Sequence, residues 1–372
     1  MRAKAQKPIS SPAEAERLDR LRLIRSRRVG PATWRRLMAE HGTAAGALAA
    51  LPGVAAAAGI EGYEVCPLPV ALKEMAAARA AGAAMLWLDE PGYPPLLGQI
   101  ADAPPLLWLQ GDPGLLARPM VALVGARNAS SLGLRMARKL AAALGEAGYV
   151  VVSGLARGID AEAHAAALGQ GTVAVQAGGV DVIYPAENAG LAAEIAARGC
   201  RISEQPMGLV PQARHFPLRN RIVSGLARAV VVVEAAARSG SLITAREALD
   251  QGREVLAVPG HPFDPRAAGG NQLIREGATL VRHAADVIEA IGTAHPAARS
   301  PEPQPDPPRR PLYEISAVHS RILDRLGPVP VPEDQLIRDL SLPAGRVAQE
   351  LVALELEGRI QRDPGGLVSR PE

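Results

Sequence analysis

One segment, residues 213–227, combines residue types that bind phosphate and stack on bases. It contains Phe216, Arg219, Asn220 and Arg221, in a chain with only two phenylalanines. Guanidinium groups bind phosphate oxygens through paired hydrogen bonds, and an aromatic ring in a loop can stack on a base. We place this segment in a loop before an apolar strand and predict that it contacts a nucleotide or a nucleic acid.

A second anion-binding pattern follows the apolar run at 230–233. Arg238 precedes a turn formed by Ser239, Gly240 and Ser241, directly before a predicted helix. The first N–H groups of a helix have no partner within the helix, and the helix dipole puts partial positive charge there. We therefore expect a phosphate at this turn.

Two more glycine turns follow predicted strands. Gly125 lets the backbone approach a ligand closely, and Arg127 directs its guanidinium at an anion. Arg127 takes the place of the second glycine of the dinucleotide fingerprint, and the sequence contains no Gly-Lys-Ser/Thr phosphate loop. The candidate residues of the two turns are Gly125, Arg127, Ser153, Gly154, Arg157 and Gly158.

Asp160 and His164 lie four residues apart on one predicted helix face. No nucleophile or partner carboxylate is visible near Asp160, so we expect it to cap its helix and not to act as a base. We expect His164 to have a structural or interface role. Both phenylalanines, Phe216 and Phe263, fall in predicted loops, although large apolar side chains usually fill the core.

Each arginine could instead be a solvated charge, or form an internal salt bridge with Glu204 or Glu234. That alternative is weaker for the arginines as a group, because they accompany serine and glycine turns. Several spaced phosphate contacts fit a polymer better than a free nucleotide. The arginines in question are Arg127, Arg157, Arg219 and Arg221.

The central sequence alternates short apolar strands with amphipathic helices, and a glycine-containing loop follows each strand. Strands that are apolar throughout and separated by helices predict a doubly wound parallel sheet covered on both faces, an α/β fold. Ligands bind such sheets beyond the carboxyl ends of the strands, where the turns above are placed. The predicted strands are 121–125, 149–153, 172–177, 201–204, 230–234 and 254–258.

The two ends of the chain predict smaller domains. Residues 1–80 indicate a helical domain in which Gly30-Pro31 separates two helices, either a helix-hairpin-helix or SAM-like module or a plain helical hairpin. Residues 81–292 form the core, and 293–311, with seven prolines, form a stiff linker. Three helices and a two-strand turn in 312–372 predict a winged helix. Its seven basic and ten acidic residues favour protein docking over DNA reading.

Composition limits the classes of protein that remain. The net charge of +3 arises in the first forty residues, which carry eleven basic and four acidic side chains, so overall charge does not indicate DNA binding. Two cysteines, Cys66 and Cys200, are too few for a disulfide framework or a zinc site. This count fits a protein of the reducing cytoplasm. Apolar runs are too short for a signal or membrane segment. We predict a soluble cytoplasmic protein without catalytic residues, metal or cofactor.

Four motifs together resemble those of the DNA-processing protein A (DprA/Smf) family. They are Gly-Ala-Arg at 125–127, Ser-Gly-Leu-Ala-Arg-Gly-Ile-Asp at 153–160, Arg-Asn-Arg-Ile-Val-Ser-Gly-Leu at 219–226 and Ala-Arg-Ser-Gly-Ser-Leu-Ile-Thr-Ala at 237–245. The resemblance implies an extended Rossmann core in a non-enzymatic homodimer that binds single-stranded DNA during natural transformation. It also implies that the protein helps to load the RecA recombinase.

The resemblance also assigns roles to residues by motif position. Arg127 would contact phosphate, and Ser153, Gly154 and Arg157 would complete the anion pocket. The other wall would be formed by Arg219, Arg221 and the turn at 239–241. Base stacking by Phe216 is our inference from the residue itself. Where the family often has lysine this chain has arginine, which keeps the charge and changes the contact geometry.

Two other functions remain open at this stage. One is a nucleotide-hydrolysing enzyme of the lysine-decarboxylase-like phosphoribohydrolase group, which resembles the core in fold. Here His261 follows Pro259-Gly260, where that group continues its phosphate loop. The other is an adaptor whose tail docks a partner, which deletion of 312–372 would test.

Overall fold

A computed structural model describes residues 11–293, 312–327, 330–340, 342, 344–356, 359–363 and 367–370. The predicted linker at 293–311 lies outside these ranges except for its first residue. The chain forms two compact units, residues 69–301 and residues 1–68 with 302–372. The predicted domain boundaries stay predictions. No helix in the described ranges is long and apolar enough to cross a membrane.

Three helices form the N-terminal part of one unit. Pro31 is the first residue of its helix, where the absent N–H costs nothing, and Gly30 precedes it as the N-cap. Leu21, Trp34 and Leu37 are buried between these helices. The helices are α1 (Pro12–Arg25), α2 (Pro31–His41) and α3 (Ala44–Ala57).

The larger unit is a nine-stranded sheet with helices on both faces. Its strands are β1 (Ala84–Trp87), β2 (Leu106–Gly111), β3 (Met120–Val124), β4 (Val150–Ser153), β5 (Thr172–Val175), β6 (Cys200–Ser203), β7 (Ala229–Val232), β8 (Glu254–Ala257) and β9 (Thr279–Leu280). Its helices are α4 (Leu68–Ala80), α5 (Pro95–Gly98), α6 (Ser131–Glu146), α7 (Ile159–Ala167), α8 (Ala189–Arg198), α9 (His215–Leu226), α10 (Ser241–Asp250), α11 (Ala268–Arg275) and α12 (Ala284–Ile291).

The strand order is β1-β2-β6-β5-β4-β3-β7-β8-β9. All neighbours from β6 to β9 are parallel, whereas β2 is antiparallel to both β1 and β6. The chain builds outward from β3 to β6 and then returns to place β7 on the other side of β3. The boundary between β3 and β7 is therefore the switch point, where the two flanking loops diverge and leave a crevice.

Alternation along β3 shows why both sheet faces are covered. Ala122 and Val124 belong to the apolar cluster under α9 and α10, and Val121 and Leu123 belong to the cluster under α6, α7 and α12. Successive side chains of a strand point to opposite faces, so an apolar strand needs a helical layer on each side. This confirms the doubly wound fold, and the six predicted strands appear as β3 to β8. The prediction did not include β1, β2 and β9.

The prediction of a loop at 213–227 is wrong, because most of this segment is helix α9. Pro217 is the third helical residue, and proline is tolerated in the first turn, where its missing N–H has no helical partner. Gly225 lies in the last turn, where an added Cβ would stand 2.8 Å from Leu97 Cδ1. Phe216 therefore belongs to a helix, while Phe263 lies in a loop with 90% of its surface exposed.

The C-terminal part forms a winged helix, as predicted. Helices α13 (Leu312–Leu323), α14 (Glu333–Leu340) and α15 (Ala344–Leu356) accompany strands β10 (Val331–Pro332), β11 (Gln361–Asp363) and β12 (Leu367–Ser369). The three strands pair in the order β10-β12-β11, all antiparallel. Ile322, Leu336, Leu351 and Val368 are buried in their shared core.

Candidate nucleic-acid interface

A cleft of about 810 Å³ opens at the switch point of the larger unit. Its walls come from the loops after β3, β4 and β7 and from the first half of α9, as expected for this fold. A volume of this size suits a nucleotide-sized group. The candidate residues that line it are Gly125, Arg127, Gly154, Phe216, Arg219, Asn220, Arg238, Ser239, Gly240 and Ser241.

The loop after β3 is held against the loop after β7. The N–H of Ala126 donates to the Glu234 carbonyl oxygen at 2.7 Å. A Cβ at Gly125 would lie 2.6 Å from Ile159 Cγ1 and 2.9 Å from that carbonyl oxygen. Glycine is thus needed here for contact between protein segments, in addition to any approach of a ligand.

The N-terminus of α6 is already occupied by a carboxylate of the protein. The N–H of Ser130 donates to Glu234 Oε1 at 3.1 Å, and the Ser130 hydroxyl donates to Oε2 at 2.7 Å. The Ser130 hydroxyl oxygen accepts from the Gly133 N–H at 3.0 Å and so caps the helix. This helix end is neutralised internally, so it offers little attraction to an external phosphate.

The N-terminus of α10 faces the cleft without such a carboxylate. Its N-cap is Gly240, which has no side chain to accept from the first N–H groups. The Ser239 and Ser241 hydroxyls lie 2.7 Å apart, and the Ser241 N–H donates weakly to Ser239 Oγ at 3.3 Å. Arg238 is exposed beside them. The turn therefore offers hydroxyls, a cation and the positive end of the helix dipole to an anion, while the N–H groups of Leu242 and Ile243 donate to carbonyl oxygens of the turn itself.

Arg127 projects into the cleft from the opposite side. Its guanidinium carbon lies 5.2 Å from the centroid of the Phe216 ring, within the range of a cation–π contact. Arg127 is exposed, and within the described residues it forms no ion pair with a carboxylate. A positive group held by an aromatic ring at the mouth of a cleft is suited to bind phosphate.

Arg219 has a different environment, because it is buried beneath the loop after β4. Its Nη1 donates to the Val175 carbonyl oxygen at 3.0 Å, and its guanidinium fills the space that a Cβ at Gly154 would occupy. Burial lowers the pKa of Arg219, while nearby Asp160 raises it. Arg219 lies at the floor of the cleft, where it contributes charge from below.

Asp160 does not cap its helix as predicted. The N-cap is Gly158, and Asp160 follows in the first turn of α7. Its Oδ2 accepts from the N–H groups of Gly154 at 3.1 Å and Ala156 at 3.3 Å, so it fixes the loop before the helix. Burial raises the pKa of Asp160, and Arg219 opposes that change.

His164 is structural, as expected. It is fully buried, and its Nδ1 lies 2.7 Å from Thr172 Oγ1. Thr172 donates its hydroxyl hydrogen to the Val151 carbonyl oxygen, so Nδ1 must be the donor to Thr172. Nε2 then has no hydrogen-bond partner among the described residues, and desolvation lowers the pKa of His164 to about 3.

Arg221 does not line the cleft, and its assignment to the phosphate-binding set stays a prediction. It is buried, and its Nη2 donates to Glu204 while its Nε lies 3.2 Å from Asp102 Oδ2. Its Nη1 donates to the Asp102 carbonyl oxygen at 2.9 Å. The internal salt bridge with Glu204 considered from the sequence therefore accounts for this residue. On a helix, Arg219 and Arg221 point in different directions because they are two positions apart.

Three other candidates also lie outside the lining of the cleft. The buried Ser153 hydroxyl donates to the Leu123 carbonyl oxygen at 2.6 Å and ties β4 to β3. Gly158 has a φ of 73°, and an added Cβ would overlap the Ala126 carbonyl oxygen. Arg157 is exposed and pairs with Glu187 at 3.0 Å. Ser153 and Gly158 shape the loops, and Arg157 remains open to solvent.

Two side chains near the cleft were missed from the sequence. Arg266 lines the cleft, lies 3.5 Å from Glu234 Oε1 and binds Asp264 at 3.1 Å. Arg266 follows the end of β8 by nine residues, beyond Phe263 in the predicted loop. Tyr184 is exposed, and its ring centroid lies 5.7 Å from that of Phe216. Nothing in the sequence around Tyr184 indicates that it contacts Phe216, which lies far away along the chain.

Three segments of the chain match family descriptions. Residues 84–292 match "DNA recombination-mediator protein A", residues 14–77 match "DprA-like N-terminal HHH domain", and residues 296–366 match "DprA winged helix domain". The Smf protein of Escherichia coli is 37% identical over 302 residues, covering 76% of this chain and 79% of that protein. The DNA processing protein DprA of Bacillus subtilis is 44% identical, with 58% and 74% covered.

Two solved structures are similar to this chain. The X-ray structure of DNA processing protein A from Streptococcus pneumoniae has a TM-score of 0.60 and 33% identity, covering 76% of this chain and 98% of that one. A structure of the Helicobacter pylori protein, described by its single-stranded DNA binding mode, has a TM-score of 0.52 and 30% identity. It covers 56% of this chain and 94% of that one.

Proposed function

The chain belongs to the DNA recombination-mediator protein A family, the DprA/Smf family, and on this basis we propose that it binds single-stranded DNA in the cleft at the switch point. We propose that it thereby protects DNA taken up in natural transformation, or produced in recombination, and delivers it to RecA. The similarity to the DNA processing protein DprA of Streptococcus pneumoniae, and to a Helicobacter pylori relative with a described single-stranded DNA binding mode, supports this.

The observation that carries the proposal is the charge arrangement of the cleft. Arg127 and Arg238 present exposed guanidinium groups, and serine hydroxyls at the start of α10 line the same cleft. The carboxylate that lines the cleft, that of buried Asp160, is engaged with two backbone N–H groups. Several phosphate contacts spaced along a groove are the requirement for binding a strand without reading its sequence. We propose that Arg219 strengthens this field from the floor.

We propose that the protein acts by binding and not by catalysis. Asp160 is buried and accepts from two backbone N–H groups, and Glu234 holds the start of α6, so neither carboxylate is placed as a base for a substrate in the cleft. The Ser239 and Ser241 hydroxyls bond to each other. A phosphoribohydrolase activity is the alternative, and hydrolysis of nucleoside monophosphates would reveal it.

The remaining parts of the proposal concern partners. We propose a homodimer that contacts RecA in the cytoplasm, and a winged helix that docks a further protein, following its acidic balance. Sedimentation equilibrium would test the dimer. Stimulation of the RecA ATPase on single-stranded DNA, by the full-length protein and by the protein without 312–372, would separate recombinase loading from an adaptor role of the tail.

The decisive experiment is fluorescence anisotropy with labelled single-stranded and duplex DNA of equal length, at low and high salt. We expect salt-sensitive binding that favours the single strand, and a large loss in the Arg127→Ala/Arg238→Ala variant. The matched control is Arg275→Ala, which removes an exposed arginine at the end of α11. Equal binding by the wild type and the double variant would contradict the site. Absence of binding would contradict the function.

A further inference from the structure

An exposed tyrosine contacts the aromatic residue of the cleft wall, Phe216, from outside the lining. Tyr184 has 48% of its surface exposed, and within the described residues its hydroxyl has no hydrogen-bond partner. Its ring centroid lies 5.7 Å from that of Phe216, with the two rings inclined at 53°. Exposed aromatic rings that serve no packing role are typical of binding surfaces, because they add contact area and lose little entropy on binding.

The segment that carries Tyr184 is fixed on both sides. Before it, the Val182 carbonyl oxygen accepts from Gln176 Nε2 at 2.8 Å, at the end of β5. After it, Asn188 Nδ2 donates to the carbonyl oxygens of Leu155 at 2.9 Å and Ala156 at 3.2 Å, in the loop after β4. The backbone that carries the ring is therefore held in place before any ligand arrives, which reduces the entropy lost on binding.

Phe216 is less available for stacking than its neighbour. It is partly buried, and its ring is already contacted by the Arg127 guanidinium at 5.2 Å and by the Tyr184 ring. Phe216 thus supports two groups that reach further into solvent, one cationic and one aromatic. Of these two rings, that of Tyr184 is the more open to a base.

We propose that Tyr184 stacks on a base of single-stranded DNA where the strand leaves the cleft, an inference that rests on the proposed function. The DNA strand would run from the turn at 239–241 past Arg127 to Tyr184. Because every base offers an aromatic face, this contact binds strands of any sequence. It also discriminates against duplex DNA, whose bases are stacked on each other and turned inward.

A cation near Tyr184 fits a continuing phosphate backbone. Arg157 lies in the loop to which the Tyr184 segment is bonded, and its ion pair with Glu187 is exposed on both sides, at 61% and 55% of the side-chain surface. An ion pair this exposed contributes little to stability, so Arg157 can exchange Glu187 for a phosphate at small cost. Arg157 would then bind a phosphate next to the cleft, although it does not line the cleft itself.

The test measures the affinity of the full-length chain for two oligonucleotides of equal length, one of thymidylate and one with abasic sites throughout. The variants are Tyr184→Ala and Tyr184→Phe, and the control is Leu249→Ala, which truncates another exposed apolar side chain, on α10. We expect Tyr184→Ala to weaken thymidylate binding by about 5- to 150-fold with an unchanged salt slope. Tyr184→Phe and Leu249→Ala should stay within about twofold of the wild type, since the first keeps the ring and the second lies outside the cleft.

On the abasic oligonucleotide the wild type and Tyr184→Ala should bind equally, because there is no base to stack. Wild-type affinity of Tyr184→Ala for thymidylate would overturn the inference and leave the proposed function standing. An equal loss on both oligonucleotides would also overturn it, since the contact would then not involve bases. A wild type that binds neither strand would overturn the proposed function and this inference together.

Discussion

Arginines of similar sequence context have different roles in this protein, and burial separates them. Arg127 is exposed over an aromatic ring, Arg219 is buried at the floor of the cleft, and Arg221 is engaged with Glu204 and Asp102. A buried guanidinium that already has protein partners gains little from a phosphate, whereas an exposed one gains a charge-assisted bidentate contact. The exposed arginines are therefore the ones whose removal should alter binding.

The geometry of the guanidinium should matter as well as its charge. In Arg127→Lys the positive charge remains, but the planar group that lies over Phe216 is lost. We expect the salt slope of single-stranded DNA binding to stay near that of the wild type, while affinity falls by about fivefold, on the order of 1 kcal/mol. Arg127→Ala should lower the slope by about one as well. Identical affinities of Arg127→Lys and the wild type would show that charge alone suffices.

Among the elements, two helix N-termini at the same crevice have different roles. Glu234 neutralises the start of α6, whereas the start of α10 faces the cleft with glycine as its N-cap. The loops between these helices are held together by close backbone contacts at Gly125 and Gly158, and the Arg219 guanidinium packs against Gly154. The position of the phosphate-binding groups thus depends on contacts between elements that are distant in sequence.

Gly158 is the position where a small change should disturb two loops at once. Its φ of 73° is strained for other residues, and a Cβ would overlap the Ala126 carbonyl oxygen. We expect Gly158→Ala to lower the free energy of unfolding by about 1–3 kcal/mol in urea denaturation. Gly190→Ala, in the first turn of α8 with open space around it, is the control and should be neutral or stabilising. Equal stability of the two variants would contradict this account.

The burial of His164, where α7 contacts β5, should make the free energy of unfolding depend on pH. The lowered pKa of His164 means that the unfolded chain binds a proton between about pH 6.5 and 3 while the folded chain does not. Stability is therefore complete above pH 6.5 and falls as pH decreases, by about 1.4 kcal/mol per unit. His164→Asn keeps a donor for Thr172 and removes the titrating group. From pH 7.5 to 5.0 the wild type should lose about 2 kcal/mol more than this variant in urea unfolding. Parallel pH profiles would contradict the prediction.

At the scale of the whole molecule, all lining residues of the cleft belong to the unit formed by 69–301. We expect a chain that ends at residue 311 to keep its affinity for single-stranded DNA within about threefold, because it retains every proposed phosphate contact. Anisotropy titrations checked by thermal unfolding would test this. A loss comparable to that of Arg127→Ala would place part of the binding surface in the winged helix.

The doubly wound sheet, the winged helix and ten of the residues that line the cleft could be predicted from the sequence. Apolar runs such as 230–233 must be buried on both sides, and glycine turns at their carboxyl ends must meet at one edge. The edge strands β1, β2 and β9 were not predicted, and the residues of α9 were predicted as a loop.

Which of these side chains are available to a ligand depends on the folded structure. Arg219 and Arg221 are two residues apart and equally basic in the sequence, yet one lies under Gly154 and the other pairs with Glu204. Asp160 bonds to backbone ahead of its own helix, and Tyr184 meets Phe216 from far along the chain. Burial, ion pairing and ring contact depend on neighbours brought together by folding, and local sequence carries no information about such neighbours.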